Sequence, residues 1–246
     1  MSLKGKAALV TGAGSGIGRA ISLALAGQGV AVVVNDIDLE RAQATAEEVA
    51  MQGVQAVPVR ADVTVPTDVQ AMLEEARRGL GGIDILVNNA GTGKVVPFHQ
   101  MSYGVWKDML ALHLDGAFIC ARGVIEGMVS ARWGRIVNLS SIMAFTGPDR
   151  LVHYATAKAG VVGFTKSLAR EVAPFGVTVN AIAPGVIETP LLRTATDRFV
   201  DKMVAQTPVG RLGTTDDIVH TGIFLISEEA SFVTGQVISP NGGYWV

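Results

Sequence analysis

Tyr154 and Lys158 stand four residues apart in the string Tyr-Ala-Thr-Ala-Lys. On a helix that spacing puts a phenol and an amine on one face. An ammonium beside a phenol draws its pKa down from about 10 towards neutral pH, and a phenol so poised is a general acid/base. Alone, the pair is equally a packed ring and a solvated amine, so its meaning depends on what the rest of the chain places around it.

Short apolar, β-branched runs at 7–10, 31–34, 55–59, 83–87, 135–139, 177–182 and 236–238 alternate with helical patterns starting near Ile17, Leu39, Pro66, Val105, His153 and Thr215. Strands that are apolar throughout are buried on both faces, and strand–helix alternation implies right-handed crossovers. The expected fold class is therefore α/β: a single-domain Rossmann fold over 1–246, with a doubly wound parallel sheet of about seven strands and helices on both faces. No repeat or linker composition divides the chain.

Ligands of such sheets bind outside the carboxyl ends of the strands. Each strand here ends in polar or glycine-rich residues. The first is followed by Thr11-Gly12-Ala13-Gly14-Ser15-Gly16-Ile17-Gly18, a turn that lets a pyrophosphate approach the amides of a helix N-terminus; Gly12, Ser15, Gly16, Ile17 and Gly18 are its candidate contacts. Asp36 ends the second strand, where a carboxylate accepts from the adenosine ribose and repels a 2′-phosphate. Neither Ser15 nor Ile37, the flanking positions, is basic, although Arg19 and Arg41 are near in sequence. NAD is therefore expected as cofactor, and NADP less so. Asp62 and Val63 follow the third strand as an adenine edge or simply a turn. Asn88-Asn89-Ala90-Gly91, Ser140-Ser141 and Pro184-Gly185 follow the fourth, fifth and sixth.

These strings, in this order, resemble the short-chain dehydrogenase/reductase family, from about residue 3 to the closing Asn241-Gly242-Gly243. The resemblance implies that Tyr154 transfers the hydroxyl proton during hydride transfer and that Ser141 hydrogen-bonds the reacting oxygen. It also implies that Lys158 binds the nicotinamide ribose and lowers the Tyr154 pKa. Asn89, Ala90, Gly91, Pro184, Gly185, Ile187 and Thr189 become cofactor contacts on the same ground. The family usually carries Asn in an Asn-Leu-x-Gly string, where it holds a proton-relay water. Here the string is His113-Leu114-Asp115-Gly116, and an imidazole at that catalytic position would add a titration near pH 6.5.

Within the family the nearest look is to 3-oxoacyl-acyl-carrier-protein reductases. Asp36 speaks against their usual NADPH, and Pro174-Phe175 stands where a basic docking residue would help, leaving Arg132. The first expectation is thus an NAD-dependent oxidoreductase interconverting a secondary alcohol or hydroxyacyl compound and a ketone. The carrier-protein reductase is the alternative, and a non-catalytic dinucleotide-binding protein the second. Walls of the substrate pocket are expected from 92–98, 142–153 and 186–208, containing Met143, Phe145, Leu151, Leu191 and Leu192 with Lys94, Arg150 and Arg193, which suit a hydrophobic or acyl small molecule.

A formal charge of −2 gives no electrostatic case for nucleic acid or an anionic membrane. The single cysteine, Cys120, reads as a core residue and excludes an internal disulfide, pointing to a cytoplasmic setting. No apolar run is long enough to span a bilayer, and no metal site is read. Apolar, small-residue faces on the helices at 105–129 and 154–173 fit the homotetramer that the resemblance implies, with 242–246 across another interface.

Overall fold

The computed structural model describes residues 3–190, 192 and 197–246, with backbone alone at 197–199. Seven parallel strands form one sheet in the order β3-β2-β1-β4-β5-β6-β7: β1 Ala7–Val10, β2 Ala31–Asp36, β3 Ala56–Arg60, β4 Ile85–Asn88, β5 Gly134–Leu139, β6 Val177–Ile182 and β7 Val237–Ile238. The order reverses between β1 and β4, which opens a crevice at their carboxyl ends.

Alternation along each strand feeds two cores. Ala8, Val10, Val32 and Val34 pack against helices α1 (Gly16–Gly27), α2 (Leu39–Ala50) and the helix Thr215–Ile226 on one face. Leu9, Val33 and Leu86 pack against α3 (Pro66–Leu80) and the helices Gly116–Ala131 and Val152–Val172 on the other. Burial on both faces is why these strands read as unbroken apolar runs. α3 starts on Pro66 and stops at Gly81 in the left-handed region, an expected start and stop pair.

Between β4 and β5 the chain is helical from α4 (Tyr103–Leu110) through a π-helical turn at Ala111–Asp115 into α5 (Gly116–Ala131). Its start is two residues before the expected Val105, because the Ser102 side chain accepts from the Val105 amide and caps the helix there. Three further helices follow among the described residues, with short 3-10 turns: α7 (Val152–Val172), α8 (Asp197–Gln206) and α9 (Thr215–Ile226). Ahead of α7 lies the single turn α6 (Met143–Thr146). Neither α6 nor α8 was expected from the sequence: α6 is a single turn, too short to show a period, and α8, though amphipathic, lies inside the segment 186–208 assigned to the substrate wall.

The fourth strand begins two residues later than expected. Asp84 accepts from the Ala7 amide at 3.0 Å and from Lys6 Nζ at 3.1 Å, and this clamp holds Ile83 outside the ladder. Among the described residues no helix is long and apolar enough to cross a membrane. Nor is any group of three or more His, Cys, Asp or Glu placed to hold a metal ion.

Candidate active site

Since all strands are parallel, the polar strand ends read from the sequence share one edge. Four buried asparagines sit near it, each on a central or flanking strand and each bonded to a neighbour. Asn88 of β4 donates to Asn138 Oδ1 of β5 at 2.8 Å, and Asn138 donates to Thr165 Oγ1 of α7 at 2.9 Å. Asn35 bonds Val59 and Ala61, and Asn180 bonds Val233. A buried amide is costly unless satisfied, so the chain Asn88–Asn138–Thr165 fixes how α7 seats against the sheet. Sequence reading missed Asn138 and Thr165; the signal was a lone amide inside the apolar run Ile136-Val137-Asn138-Leu139.

α7 carries Tyr154 and Lys158 on the edge so set. Lys158 is buried, its Nζ donates to Leu139 O at 2.6 Å, and its own carbonyl accepts from Ser140 Oγ at 2.9 Å. Ser140 therefore points into the sheet, while Ser141 hydrogen-bonds with Tyr154. Lys158 Nζ lies 5.8 Å from the Tyr154 ring centroid.

The expected electrostatics need correction. Burial pushes the Tyr154 phenol up, and hydrogen bonding with Ser141 offsets part of that rise; Lys158 is not what lowers it. Burial instead pulls Lys158 down to about 7, so the amine shares its charge with water poorly and is only partly an ammonium at neutral pH.

His113 comes into the same cluster from the π-turn. Its ring meets that of Tyr154 edge-on, with centroids 5.2 Å apart at 88°. Nε2 lies 2.9 Å from Thr92 O, which assigns the proton to Nε2 and leaves Nδ1 as an acceptor, without a partner among the described residues. Burial, with Lys158 second, lowers its pKa to about 3. The added titration near pH 6.5 is thereby overturned: a buried imidazole beside an amine stays neutral. A cavity of about 10 Å³ reaches His113, Lys158, Thr11, Asn88 and Asn138, room for a single water.

The glycine turn fits a dinucleotide. Its helix, α1, has no side-chain cap at Ser15 and no acid in its first turn, whereas α9 carries a full capping box, so the α1 amides remain available to an anion. The turn is held from below by Asn89, whose Nδ2 donates to Thr11 O and Gly12 O at 2.9 and 3.0 Å. Thr11 Oγ1 accepts from the Asn89 and Ala90 amides. A Cβ at Gly18 would lie 2.4 Å from both Asn89 Nδ2 and Gly12 O, so this packing excludes every side chain. Thr189 approaches Gly16 from the opposite wall, and Gly185 is seated on Asn241 and Pro240.

Asp36 stands beside the turn, with Oδ2 accepting from the Gly14 amide at 2.9 Å and Oδ1 from the Asp38 amide at 3.1 Å. Ile37 next to it is exposed. Arg41 is paired with Asp38 at 3.2 Å and Arg19 with Glu48, so both nearby cations have carboxylate partners. Two of the other expected contacts, Val63 and Ile187, have buried side chains. Val63 is buried against Gly116, Ile187 is buried against Gly213, and Asp62 Oδ1 is occupied by the Thr64 amide and hydroxyl.

Of the expected substrate walls, Met143 and Phe145 lie on α6, directly after Ser141, and Leu151 precedes α7. Arg150 adopts φ 60°, and its carbonyl accepts from Val96 N at 2.9 Å, joining the first two wall segments. Leu191 and Arg193 lie outside the described residues. Cys120 is fully buried, its thiol pushed up to about 12 by burial, as a core residue should be.

Comparison with known proteins agrees with this fold. A family profile described as "Enoyl-(Acyl carrier protein) reductase" matches residues 12–245. The chain is 44% identical over 244 residues to the 3-oxoacyl-[acyl-carrier-protein] reductase FabG of Aquifex aeolicus, covering 99% of this chain and 98% of that one. It is 39% identical over 246 residues to the enzyme of the same name from Escherichia coli, covering both in full. The crystal structure of a short-chain type dehydrogenase/reductase from Mycobacterium marinum superposes with a TM-score of 0.94 at 35% identity, covering 99% of this chain and 96% of that one. By fold, by the residues gathered at the sheet edge and by these relatives, the chain is an oxidoreductase of the short-chain dehydrogenase/reductase family.

Proposed function

We propose that this protein interconverts a 3-oxoacyl thioester and its 3-hydroxy form, with NAD as the redox partner. The convergence of Tyr154, Ser141 and buried Lys158 beside a dinucleotide cradle carries the reading. The names of the relatives favour this substrate class over the simple secondary alcohol that the sequence alone put first. A non-catalytic binding role leaves the complete acid/base set unexplained.

Gly12–Gly18, Asp36 and Thr189 would hold a nicotinamide dinucleotide, which would supply or accept the hydride. The protein's own part is proton and charge management. Ser141 donates a hydrogen bond to the reacting oxygen, where negative charge grows; removal of one such donor costs about 100- to 1000-fold in turnover. Tyr154 gives its proton to that oxygen, and its raised pKa keeps it protonated for reduction. Lys158 stands behind it, and the His113 Nδ1 acceptor shares the one-water cavity with the amine, a path for reprotonation from the protein side.

Asp36 supports NAD because its fixed carboxylate repels a 2′-phosphate while Arg19 and Arg41 are engaged elsewhere. The form of the thioester is open to test. Arg132, the expected docking cation, lays its guanidinium on Pro174 O at 3.0 Å, and half-exposed Phe175 stands beside it.

Initial rates with NADH and NADPH, on 3-oxoacyl carrier protein, its coenzyme A counterpart and a simple ketone, test the reading. Thioester reduction with NADH is expected to be fastest. A preference of more than about tenfold for NADPH, ~1.4 kcal/mol, would remove the cofactor assignment. Tyr154→Phe is expected to lose at least about 1000-fold in turnover and to keep cofactor binding; unchanged turnover would remove the mechanism.

A further inference from the structure

The last residues of the chain pack between the Pro184-Gly185 turn and α6. After β7 the chain runs through Asn241, whose Cα packs on Gly185, and Gly185 N donates to Pro240 O at 3.0 Å. The tail therefore begins on the Pro184-Gly185 turn that forms the cofactor side of the crevice. Gly242 (φ 64°) bends it back; a Cβ there would lie 2.7 Å from Thr207 Cγ2, and Val209 N donates to Gly242 O at 3.1 Å. Asn241 then closes the turn, its Nδ2 donating to Trp245 O at 2.8 Å. Tyr244 OH reaches Gln206 Oε1, the last residue of α8, at 3.3 Å.

The result is that the Trp245 indole stacks on Phe145, with centroids 4.5 Å apart and planes at 13°. Phe145 sits on α6, four residues after Ser141 in the chain, and the Ala144 amide donates to Ser141 O at 3.0 Å, so α6 starts from the proposed oxygen-binding residue. Both residues are still 38% exposed in the single chain. A stacked pair with that much surface left open, fixed at its ends to the cofactor turn and to α8, is a preformed apolar wall with low entropy cost for a ligand.

We propose that Trp245, with Phe145, is the specificity-determining wall for the apolar substituent of the substrate beyond its reacting carbonyl. The proposal rests on the hydride-transfer reading of the site. Trp245 acts by contact with that substituent, alkyl or aryl, and not on the proton.

The test compares wild-type protein, Trp245→Ala and Trp245→Phe on the N-acetylcysteamine thioesters of 3-oxobutanoate, 3-oxododecanoate and 3-oxo-3-phenylpropanoate. Trp245→Ala is expected to lower the long-to-short and aryl-to-short ratios of kcat/KM by about tenfold or more, ~1.4 kcal/mol, with the loss in KM. Trp245→Phe, which keeps a stacked ring, is expected to restore most of it. Equal effects on all three substrates, or none, would overturn the proposal. A second readout does not need turnover: tryptophan fluorescence of the wild-type protein is expected to change when 3-oxododecanoyl thioester is added, and the change to vanish in Trp245→Phe. If wild-type turnover is absent with every substrate while that fluorescence difference persists, the reaction assignment fails and the wall stands. If the change is the same in both proteins, the wall fails.

Discussion

The imidazole of His113 occupies the position where the family usually carries an amide, and its surroundings make it behave as one. Nε2–H is spent on Thr92 O, and Nδ1 offers a lone pair to the cavity beside Lys158. The sign of its pH effect follows from burial. In the unfolded chain the ring takes a proton below about pH 6.5, whereas the folded ring takes one only near pH 3. Stability from a neutral His113 is thus fully present above pH 6.5 and falls as pH drops, at up to about 1.4 kcal/mol per unit. His113→Asn is expected to keep turnover within about fivefold, to show the same pH–rate profile between pH 5 and 8, and to lose less stability in urea between pH 7 and 5. A wild-type inflection near 6.5 that disappears in the variant would show that the ring titrates in catalysis. Lys158 behaves oppositely to expectation for the same reason: a buried amine with one carbonyl partner gives up charge.

At the scale of elements, the π-turn is what delivers that ring. One extra residue in the turn at Ala111–Asp115 rotates the preceding α4 against α5. It drives His113 onto the loop after β4, where a Cβ on Gly91 would lie 2.4 Å from the ring's Cε1. Gly91→Ala is therefore expected to destabilise by about 1–3 kcal/mol, with lower turnover. Much of that cost should disappear when His113→Ala is combined with it, since the clash needs both groups. Additive losses in thermal melts would mean that the ring does not set the requirement at 91. In α1 the equivalent contact is to a backbone carbonyl and an anchored amide, Gly12 O and Asn89 Nδ2, neither of which can withdraw. Gly18→Ala should cost cofactor binding as well as stability.

Across the whole molecule, the edge of the sheet opposite the site has its own lock. Lys6 Nζ lies 3.9 Å, and the Arg135 guanidinium 4.5 Å, from the centroid of the Trp133 ring. Glu228 accepts from Trp133 Nε1 at 2.6 Å and from Arg135 at 3.3 Å. Arg135 is 2% exposed, so Glu228→Ala leaves a buried cation without its countercharge. A loss of about 3 kcal/mol in unfolding free energy is expected, with kcat retained, because the pair lies at the far end of the strands. A variant as stable as wild type would show that water reaches the guanidinium. The same scale holds the assembly proposal. Tyr103 on α4 and Phe118 on α5 are 76% and 54% exposed, and light scattering is expected to return about four times 25.7 kDa. A monomer would remove the tetramer.

The parallel sheet, its shared edge and the placing of Ser141, Asp36 and the glycine turn on that edge were legible because each depends on local or periodic chemistry. β-branched runs with burial on both faces specify parallel strands, and parallel strands bring their ends together whatever lies between. The ends of elements were less legible: Ile83 lost its place in β4 to the Asp84 clamp, and α6 is a single turn, too short to show a period. The charge states at the site were not legible at all. Tyr154 and Lys158 four residues apart were expected to trade charge, yet burial outweighs their attraction in this fold and moves each towards its neutral form. Likewise, residue types alone did not place Asn138 and Thr165 under α7, or Trp245 on Phe145. Those contacts join segments far apart in the chain, and only the packed tertiary structure, through desolvation and close approach, decided them.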